Sequence, residues 1–352
     1  MIPDKVLKAY FNLSEIVNIS PFGNGHIQLT YRVETKSKSF ILQKINTTVF
    51  TNPELLIKNH LLIQQHHKLS KDNEYLIPEI IKTLDGNNYF FDTNKGFWRL
   101  TNFIENSYSL EKTATSTQAK EAGKAYGWFL TSLVNVKTSL FEEPIPDFHN
   151  LSFRLKQFDD AVDANIAERR DLVSSEIEFF IERKNFFLDI ENEVKSGKIP
   201  LRTVHNDTKI NNVLFEENKA KAVIDLDTVG PGNVLFDYGD ALRTIANNSA
   251  EDEENIENIT LNWDYFCSFT EGYLRKTKGI LSLSEKENLH KAPLLMTYII
   301  GIRFLSDYLN GDIYYKTSKP RHNLIRSRVQ QFLLKDMEQK NNAMKTYILN
   351  NL

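Results

Sequence analysis

The chain changes character about a third of the way along. Residues 31–34 and 40–43 are β-prone runs on either side of a polar turn, and residues 88–91 and 97–100 bracket a second turn at 92–96. Both patterns predict antiparallel hairpins. Between them, residues 53–67 read as a helix, with Asn52 as N-cap and Pro53 in the first turn. Beyond the polar segment 105–109, apolar residues recur at helical spacing, first as Ala122, Tyr126, Phe129, Leu130 and Leu133. Ile177, Phe180, Ile181, Phe187 and Leu188 repeat that spacing from Ser174 onward, Gly197 closes the run, and further helices follow from Leu261. The expected class is therefore α+β. A small antiparallel-sheet lobe, 1–104, precedes a larger and mainly helical lobe, 105–352.

Composition agrees with that division. A chain of 352 residues is too long for one compact core. Gly 14 and Pro 10 together fall well below the usual share of roughly 12 %, which favours long helices over a many-stranded barrel. The 43 Lys and Arg against 46 Asp and Glu leave a net charge of −3, so bulk positive charge for nucleic acid is missing. The single cysteine, Cys267, excludes an internal disulfide framework and a cysteine zinc cluster. No apolar leader opens the sequence, and the most apolar stretch, 293–305, is short and interrupted by Arg303. The expectation is a cytoplasmic protein with neither membrane nor nucleic-acid partners.

One segment carries the chemistry: Val-His-Asn-Asp-Thr-Lys-Ile-Asn-Asn-Val-Leu-Phe at 204–215, then Ala-Val-Ile-Asp-Leu-Asp at 222–227. The apolar runs 213–215 and 222–224 flank a polar turn. A hairpin symmetric about Asn218-Lys219 sets Asn212 opposite Asp225, and a slip of one or two residues still leaves them adjacent. Asp207 lies in the loop before the first strand. Two carboxylates and an amide oxygen thus meet at one hairpin mouth. Oxygen ligands of this kind suit Mg²⁺, which is held by one or two carboxylates together with substrate phosphates. A further carboxylate beside them can accept a proton from an attacking hydroxyl. The set fits phosphoryl transfer, where positioning and charge neutralisation do most of the catalysis.

His-x-Asp-x₄-Asn followed by an apolar strand ending in Asp resembles the catalytic loop and metal-binding segment of the aminoglycoside phosphotransferase-like kinases, which share the protein-kinase fold. Within that superfamily, Phe22-Gly23-Asn24-Gly25-His26-Ile27, the run 40–46 and Ile224-Asp225-Leu226-Asp227-Thr228 resemble the N-acetylhexosamine 1-kinases. The likeness spans about residues 20 to 330. It implies Asp207 as catalytic base, Asn212 and Asp225 as Mg²⁺ ligands, ATP as co-substrate and a small sugar as acceptor. It also implies that Asp237 steadies the catalytic loop; read on its own, Asp237 is a helix N-cap. His205 braces the loop by hydrogen bonding.

The remaining site residues follow from position. Gly23 and Gly25 let backbone N–H groups approach phosphates, while the full Gly-x₄-Gly-Lys-Ser/Thr pattern of a P-loop is absent. The kinase fold expects a lysine on the third strand paired with a helix glutamate. Strand alternation leaves Gln43 or Lys44 for the first role and Glu54 or Asn59 for the second. Residues 99–103 lead into the lobe boundary, so Thr101 and Phe103 belong to a hinge that meets adenine through its backbone. Asp227, two residues past Asp225, points the same way in an extended strand, toward sugar hydroxyls or toward solvent at a turn. Arg303 on an apolar helix either pairs with Asp307 one turn away or faces the acceptor. The resemblance favours the second, and with it His26 as an acceptor contact. His60, His66 and His67 on one helix read as a solvated face, and the acidic run 251–254 as a solvated loop or helix start. Other acceptors compatible with the fold are an aminoglycoside, a choline-like amine or homoserine, and a nucleotide-binding pseudokinase is the rival from another class.

Overall fold

Two hairpins build the N-terminal sheet. In a computed structural model that describes residues 2–23, 27–70 and 73–352, six strands form one antiparallel sheet: β1 (Ile16–Pro21), β2 (Leu29–Thr35), β3 (Ser39–Lys44), β4 (Ile80–Ile81), β5 (Phe90–Asp92) and β6 (Gly96–Asn102). Their order is β1-β2-β3-β6-β4, with β5 also paired to β6. Val33 opposes Phe40, and Phe90 opposes Trp98, as the two predicted hairpins require.

Alternation along the strands decides what each sheet face meets. Val33, Phe40, Leu42, Trp98 and Leu100 pack against Val6, Leu7 and Tyr10 of α1 (Asp4–Tyr10), a helix the periodicity did not reveal. Tyr10 Oη donates to the Trp98 carbonyl at 2.9 Å. The opposite face carries Thr30, Gln43 and Arg99, which are register partners across β2, β3 and β6.

The helix α2 (Pro53–Leu69) starts as predicted, with Asn52 Oδ1 accepting from the Leu55 N–H at 3.3 Å. Its Leu56 and Ile57 join Ile45, Phe50, Ile80 and Phe97 in a second small core. Its histidines are not a solvated face. His60 is buried, and the Nε2 atoms of His60, His66 and His67 lie 2.7, 2.6 and 2.9 Å from the carbonyls of Pro78, Ser132 and Tyr75. Unpaired backbone carbonyls around α2 draw these rings inward, because a buried acceptor without a donor is costly.

The segment expected as a polar boundary contains a short strand, β7 (Tyr108–Ser109). The rest is mainly helical: α3 (Ser116–Ser132), α4 (Leu151–Ala164), α5 (Ser174–Lys195), α6 (Val234–Ile245), α7 (Trp263–Thr277), α8 (Leu283–Asn288), α9 (Ala292–Leu309) and α10 (His322–Asn351). All of these except the short α8 contribute to one continuous apolar core. Small residues bring α3 and α7 into backbone contact: a Cβ on Gly123 would sit 2.2 Å from the Phe269 carbonyl oxygen, and one on Gly272 would sit 2.1 Å from that of Lys120. Four short strands complete the chain: β8 (Arg202–Val204), β9 (Val213–Glu216), β10 (Lys219–Val223) and β11 (Gly230–Gly232). β9 pairs with β10 and β7, and β8 with β11. Among the described residues no helix is long and apolar enough to cross a membrane.

Candidate functional site

The loop between β8 and β9 holds Asp207, and α6 fixes that loop. Asn233, not Asp237, caps α6, its Oδ1 accepting from the Leu235 N–H at 3.1 Å. Asp237 lies inside the first turn, 3 % exposed, where its carboxylate accepts the backbone N–H groups of His205 at 2.8 Å and Asn206 at 2.7 Å. Thr208 Oγ1 donates to the Asp237 carbonyl at 2.6 Å. These bonds hold Asn206 at φ 64°, a conformation few side-chain-bearing residues adopt. Burial pushes the Asp237 carboxyl up to about 7, against the pull of the two N–H donors.

His205 joins the loop to the second half of the site. Its Nε2 lies 2.9 Å from the Ile224 carbonyl, and its Nδ1 accepts the Asp207 N–H at 3.3 Å. Ile224 N–H in turn donates to the Asn212 carbonyl at 2.9 Å. Next to the turn the hairpin is offset by two residues from the symmetric expectation, and a bulge between Ala220 and Ala222 reduces the offset to one at the mouth. Asn212 and Asp225 nevertheless meet at its mouth.

Around Asp207 the polar groups are closely matched. Lys209 Nζ lies 2.7 Å from Oδ1, and Asn212 Nδ2 donates to Oδ2 at 3.1 Å and to the backbone carbonyl at 2.8 Å. Burial alone would raise this carboxyl; Lys209, His205 and the Asn212 amide outweigh it and hold the group below the usual carboxylate range. Burial also works against charge on Lys209, yet Asp207 and Asp240 keep its ammonium above the ordinary lysine value. Sequence reasoning passed over Lys209. The signal was there, a cation two residues beyond the candidate base in a loop chain segment.

Asp225 differs in having no hydrogen-bond donor or cationic partner within ion-pair distance among the described residues. It sits at φ 60° and is exposed to solvent. Surrounding protein, then the Asp227 and Asp207 carboxylates, push its carboxyl up to about 7, and its exposure to solvent screens part of that effect. A donorless carboxylate next to an amide whose NH₂ is already committed fits a divalent cation. No group of three or more His, Cys, Asp or Glu side chains among the described residues is arranged to hold a metal. The chemistry of Asp225 and Asn212 therefore suits an ion that also takes ligands from phosphate.

The expected role of Asp227 needs correction. Because Asp225 is left-handed and residues Leu226–Thr228 form a 3₁₀ turn, the extended alternation that aimed Asp227 at an acceptor does not exist. Asp227 is 3 % exposed. One oxygen forms an ion pair with Arg99 of β6, and the other accepts from Gln28 Nε2 at 2.9 Å. Arg99 Nε and Nη2 also donate to Gln43 Oε1 at 2.9 and 2.7 Å. Lys44 is a second correction. It opposes Trp98 on the sheet face that carries α1, and its side chain lies over Gly96, so Gln43 is the cleft-facing residue of β3. Neither expected helix partner reaches it: Glu54 accepts from Tyr89 Oη at 2.6 Å, and Asn59 Nδ2 donates to the Glu142 and Val229 carbonyls at 2.8 and 3.0 Å.

Thr101 is buried on β6, and Phe103 follows that strand. The Phe103 ring lies 5.6 Å edge-on from Phe22 and 4.4 Å from the Arg32 guanidinium carbon, so the start of the glycine turn comes to the strand end. Gly23 has φ +75° and open space around it. Gly25 and His26 lie outside the described residues.

On α9, Arg303 is 9 % exposed, with its guanidinium carbon 5.0 Å from the Phe148 ring and 5.7 Å from the Tyr315 ring. The alternative pair with Asp307 does not form. Asp307 accepts the N–H groups of Ile313, Tyr314 and Tyr315 at 3.0, 2.8 and 2.9 Å and Asn323 Nδ2 at 2.8 Å. Among the described residues no carboxylate lies within ion-pair distance of Arg303. Phe148 packs on His149, whose Nε2 lies 2.9 Å from the Asn206 carbonyl, which connects Arg303 to the Asp207 loop. A cavity of about 220 Å³ lies beside this link, walled by Phe148, His149, Asn206, Thr228, Asn233 and Phe236; Asp207, Asp225 and Arg303 are not among its walls. The run 251–254 is not simply solvated either, since Asp252 and Glu254 pair with Lys319 at 3.2 and 3.0 Å.

Solved structures share this fold. A microcompartment-associated aminopropanol kinase superposes with a TM-score of 0.68 at 16 % identity, covering 97 % of each chain. An aminoglycoside phosphotransferase from Alicyclobacillus acidocaldarius gives 0.67 at 11 % identity, covering 99 % of this chain and 97 % of the other. An amicoumacin kinase, solved with AMP-PNP, Ca²⁺ and amicoumacin, gives 0.62 at 12 % identity over 96 % and 92 %. The sequence itself matches the phosphotransferase enzyme family over residues 18–265. With that match over most of its length, the chain belongs to the phosphotransferase enzyme family.

Proposed function

We propose that the protein is an ATP- and Mg²⁺-dependent kinase that phosphorylates the anomeric hydroxyl of an N-acetylhexosamine, N-acetylglucosamine or N-acetylgalactosamine. The observation that carries the reading is the convergence of Asp207, Asn212 and donorless Asp225 at one hairpin mouth. The nucleotide would lie between an N-terminal lobe, 1–104, and a helical lobe, 105–352, with Gly23, Gly25, Thr101 and Phe103 along its path. A divalent ion bound with the phosphates neutralises charge that builds on the transferring group. Asp225 and Asn212 are the residues that would hold it.

Asp207 takes the acceptor's proton or orients it. As the hydroxyl oxygen bonds to the γ-phosphorus, the bond to the β-phosphate oxygen breaks, ADP leaves, and the proton goes to an Asp207 oxygen. Lys209 and the Asn212 amide keep that carboxylate ionised and aimed. An anomeric hydroxyl is more acidic than an ordinary alcohol, so orientation contributes more than basicity.

Arg303 supports a neutral sugar acceptor. A guanidinium held between aromatic rings without an acid offers donors to hydroxyl or acetamide oxygens. Arg154 is a second cation close by, its guanidinium pulled down to about 10 by burial and then by the charge of Arg303. A second reading takes an amine-bearing alcohol, the kind of acceptor named for the aminopropanol kinase. The positive charge at Arg303 and Arg154 weighs against an ammonium there.

The test is incubation with Mg-ATP and a panel of free hexosamines, amino alcohols and aminoglycosides, with phosphorus NMR of the products. A hexosamine 1-phosphate is expected, and Asp207→Asn should lose transfer while still binding nucleotide. Phosphate found only on amine-bearing alcohols would overturn the sugar assignment. Near-normal turnover by Asp207→Asn would remove the base.

A further inference from the structure

We propose that Arg99 is the cation through which the N-terminal sheet grips the nucleotide phosphates, and that Asp227 is the partner it leaves when they arrive. This rests on the nucleotide reading above and assigns a residue that reading left without a candidate.

The sheet needs such a group, and its geometry offers Arg99. On β3 the cleft-facing position is Gln43, a neutral amide, while Lys44 lies on the opposite face over Gly96. Directly across from Gln43 in the register stands Arg99. Gln43 Oε1 accepts from Nε and Nη2 of Arg99, and Thr30 Oγ1 holds the Gln43 amide at 3.2 Å. The guanidinium is therefore oriented by a neutral brace, which fixes its plane without neutralising its charge. Nη1 is the atom that reaches Asp227, across to the turn that follows Asp225.

Charge argues the same way. Asp207, Asp225 and Asp227 converge where a polyphosphate is to bind. The cations contacting these carboxylates among the described residues are Lys209 and Arg99. Lys209 is engaged with Asp207, and Arg32, on the same sheet face as Arg99, pairs with Glu34, so Arg99 is the cation that reaches these carboxylates from the sheet. Its planar fork suits paired phosphate oxygens better than an ammonium does. A buried pair, 4 % exposed on both sides, can exchange partners only where each group keeps a hydrogen bond. Phosphate oxygens replace the Asp227 carboxylate for Arg99, and Asp227 retains Gln28, whose Oε1 accepts the Asn46 N–H at 2.6 Å.

The two partners give effects of opposite sign, which separates this idea from a mere strut. Binding of AMP-PNP with Mg²⁺, and of adenosine, is measured by titration calorimetry, with thermal unfolding followed in parallel. Arg99→Met should weaken AMP-PNP by about 10- to 100-fold and leave adenosine within twofold. Arg99→Lys should recover part of the loss. Asp227→Asn, which frees the guanidinium, should tighten AMP-PNP several-fold. Should Arg99→Met fold poorly because Asp227 is left unpaired, the double variant Arg99→Met/Asp227→Asn removes both charges and should still bind AMP-PNP weakly. The inference falls if Arg99→Met, or the folded double variant, binds AMP-PNP as wild type does. It also falls if Asp227→Asn weakens binding as much as Arg99→Met, the result for a strut. Wild-type protein that binds neither AMP-PNP nor adenosine would instead overturn the nucleotide reading, and this assignment with it.

Discussion

Replacing Asp237 with Asn keeps the volume of a side chain that is 3 % exposed and changes only its hydrogen bonding. The native carboxylate has one oxygen for the His205 N–H and the other for the Asn206 N–H. An amide has one oxygen, and its NH₂ must face the remaining N–H. One buried backbone donor is then left without an acceptor, at a cost of about 1–3 kcal/mol. Asn206 is held at φ 64°, and release of that conformation returns on the order of 1 kcal/mol. The net loss of stability should be about 1 kcal/mol, within a range of about 0–2 kcal/mol. The larger effect is on turnover, because the same two bonds position the backbone just before Asp207. A displacement of about 1 Å in a reacting group costs up to about 100-fold, so kcat should fall by about 10- to 100-fold with nucleotide affinity nearly unchanged. Urea unfolding followed by tryptophan fluorescence measures the first quantity and steady-state kinetics the second. A variant within about 0.5 kcal/mol and twofold of wild type would refute the claim that Asp237 holds the loop.

Two further outcomes are expected. Arg303→Ala should raise the acceptor KM at least tenfold and leave the ATP KM within about twofold; equal rises in both would make Arg303 a structural residue. Burial pushes His149 down to about 4, so its ring stays neutral in the fold while the unfolded chain takes up a proton near pH 6.5. The contribution is complete above pH 6.5 and is lost as pH falls toward 4, amounting to about 2 kcal/mol by pH 5. His149→Gln should therefore lose about that much less stability than wild type between pH 7.5 and pH 5, and an unchanged pH slope in urea unfolding would contradict it.

Local patterns in the sequence carried a good part of this structure. The two hairpins, the Asn52-capped helix and the meeting of Asn212 with Asp225 all depend on residues near one another in the chain, where turn chemistry and alternation act directly. Three parts were not legible, two for partners remote in the chain and one for a local turn of the backbone. The Arg99–Asp227 pair joins residues 128 positions apart, and neither side chain signals the other. Asp227 was misdirected because alternation assumes an extended backbone, whereas Asp225 turns left-handed. The α2 histidines were read from helix spacing alone, but the carbonyls that pull them inward belong to Pro78, Ser132 and Tyr75. Arg303 and Asp307 show the limit of the i,i+4 rule in a core, since backbone N–H groups of a neighbouring loop outbid the arginine.

The β9–β10 hairpin is sewn to the chain on both sides of the sheet's last strand. Upstream of β6, Leu76 N–H donates to the Lys221 carbonyl at 2.9 Å and its carbonyl accepts from Val223 N–H at 3.0 Å. Downstream, β7 pairs Tyr108 with Phe215, and Lys221 Nζ donates to the Glu105 carbonyl at 2.8 Å. A rocking sheet consequently drags the hairpin along as a lever whose tip bears Asn212 and Asp225. On the proposed reading, a nucleotide that pushed the sheet aside would therefore shift both proposed metal ligands with it.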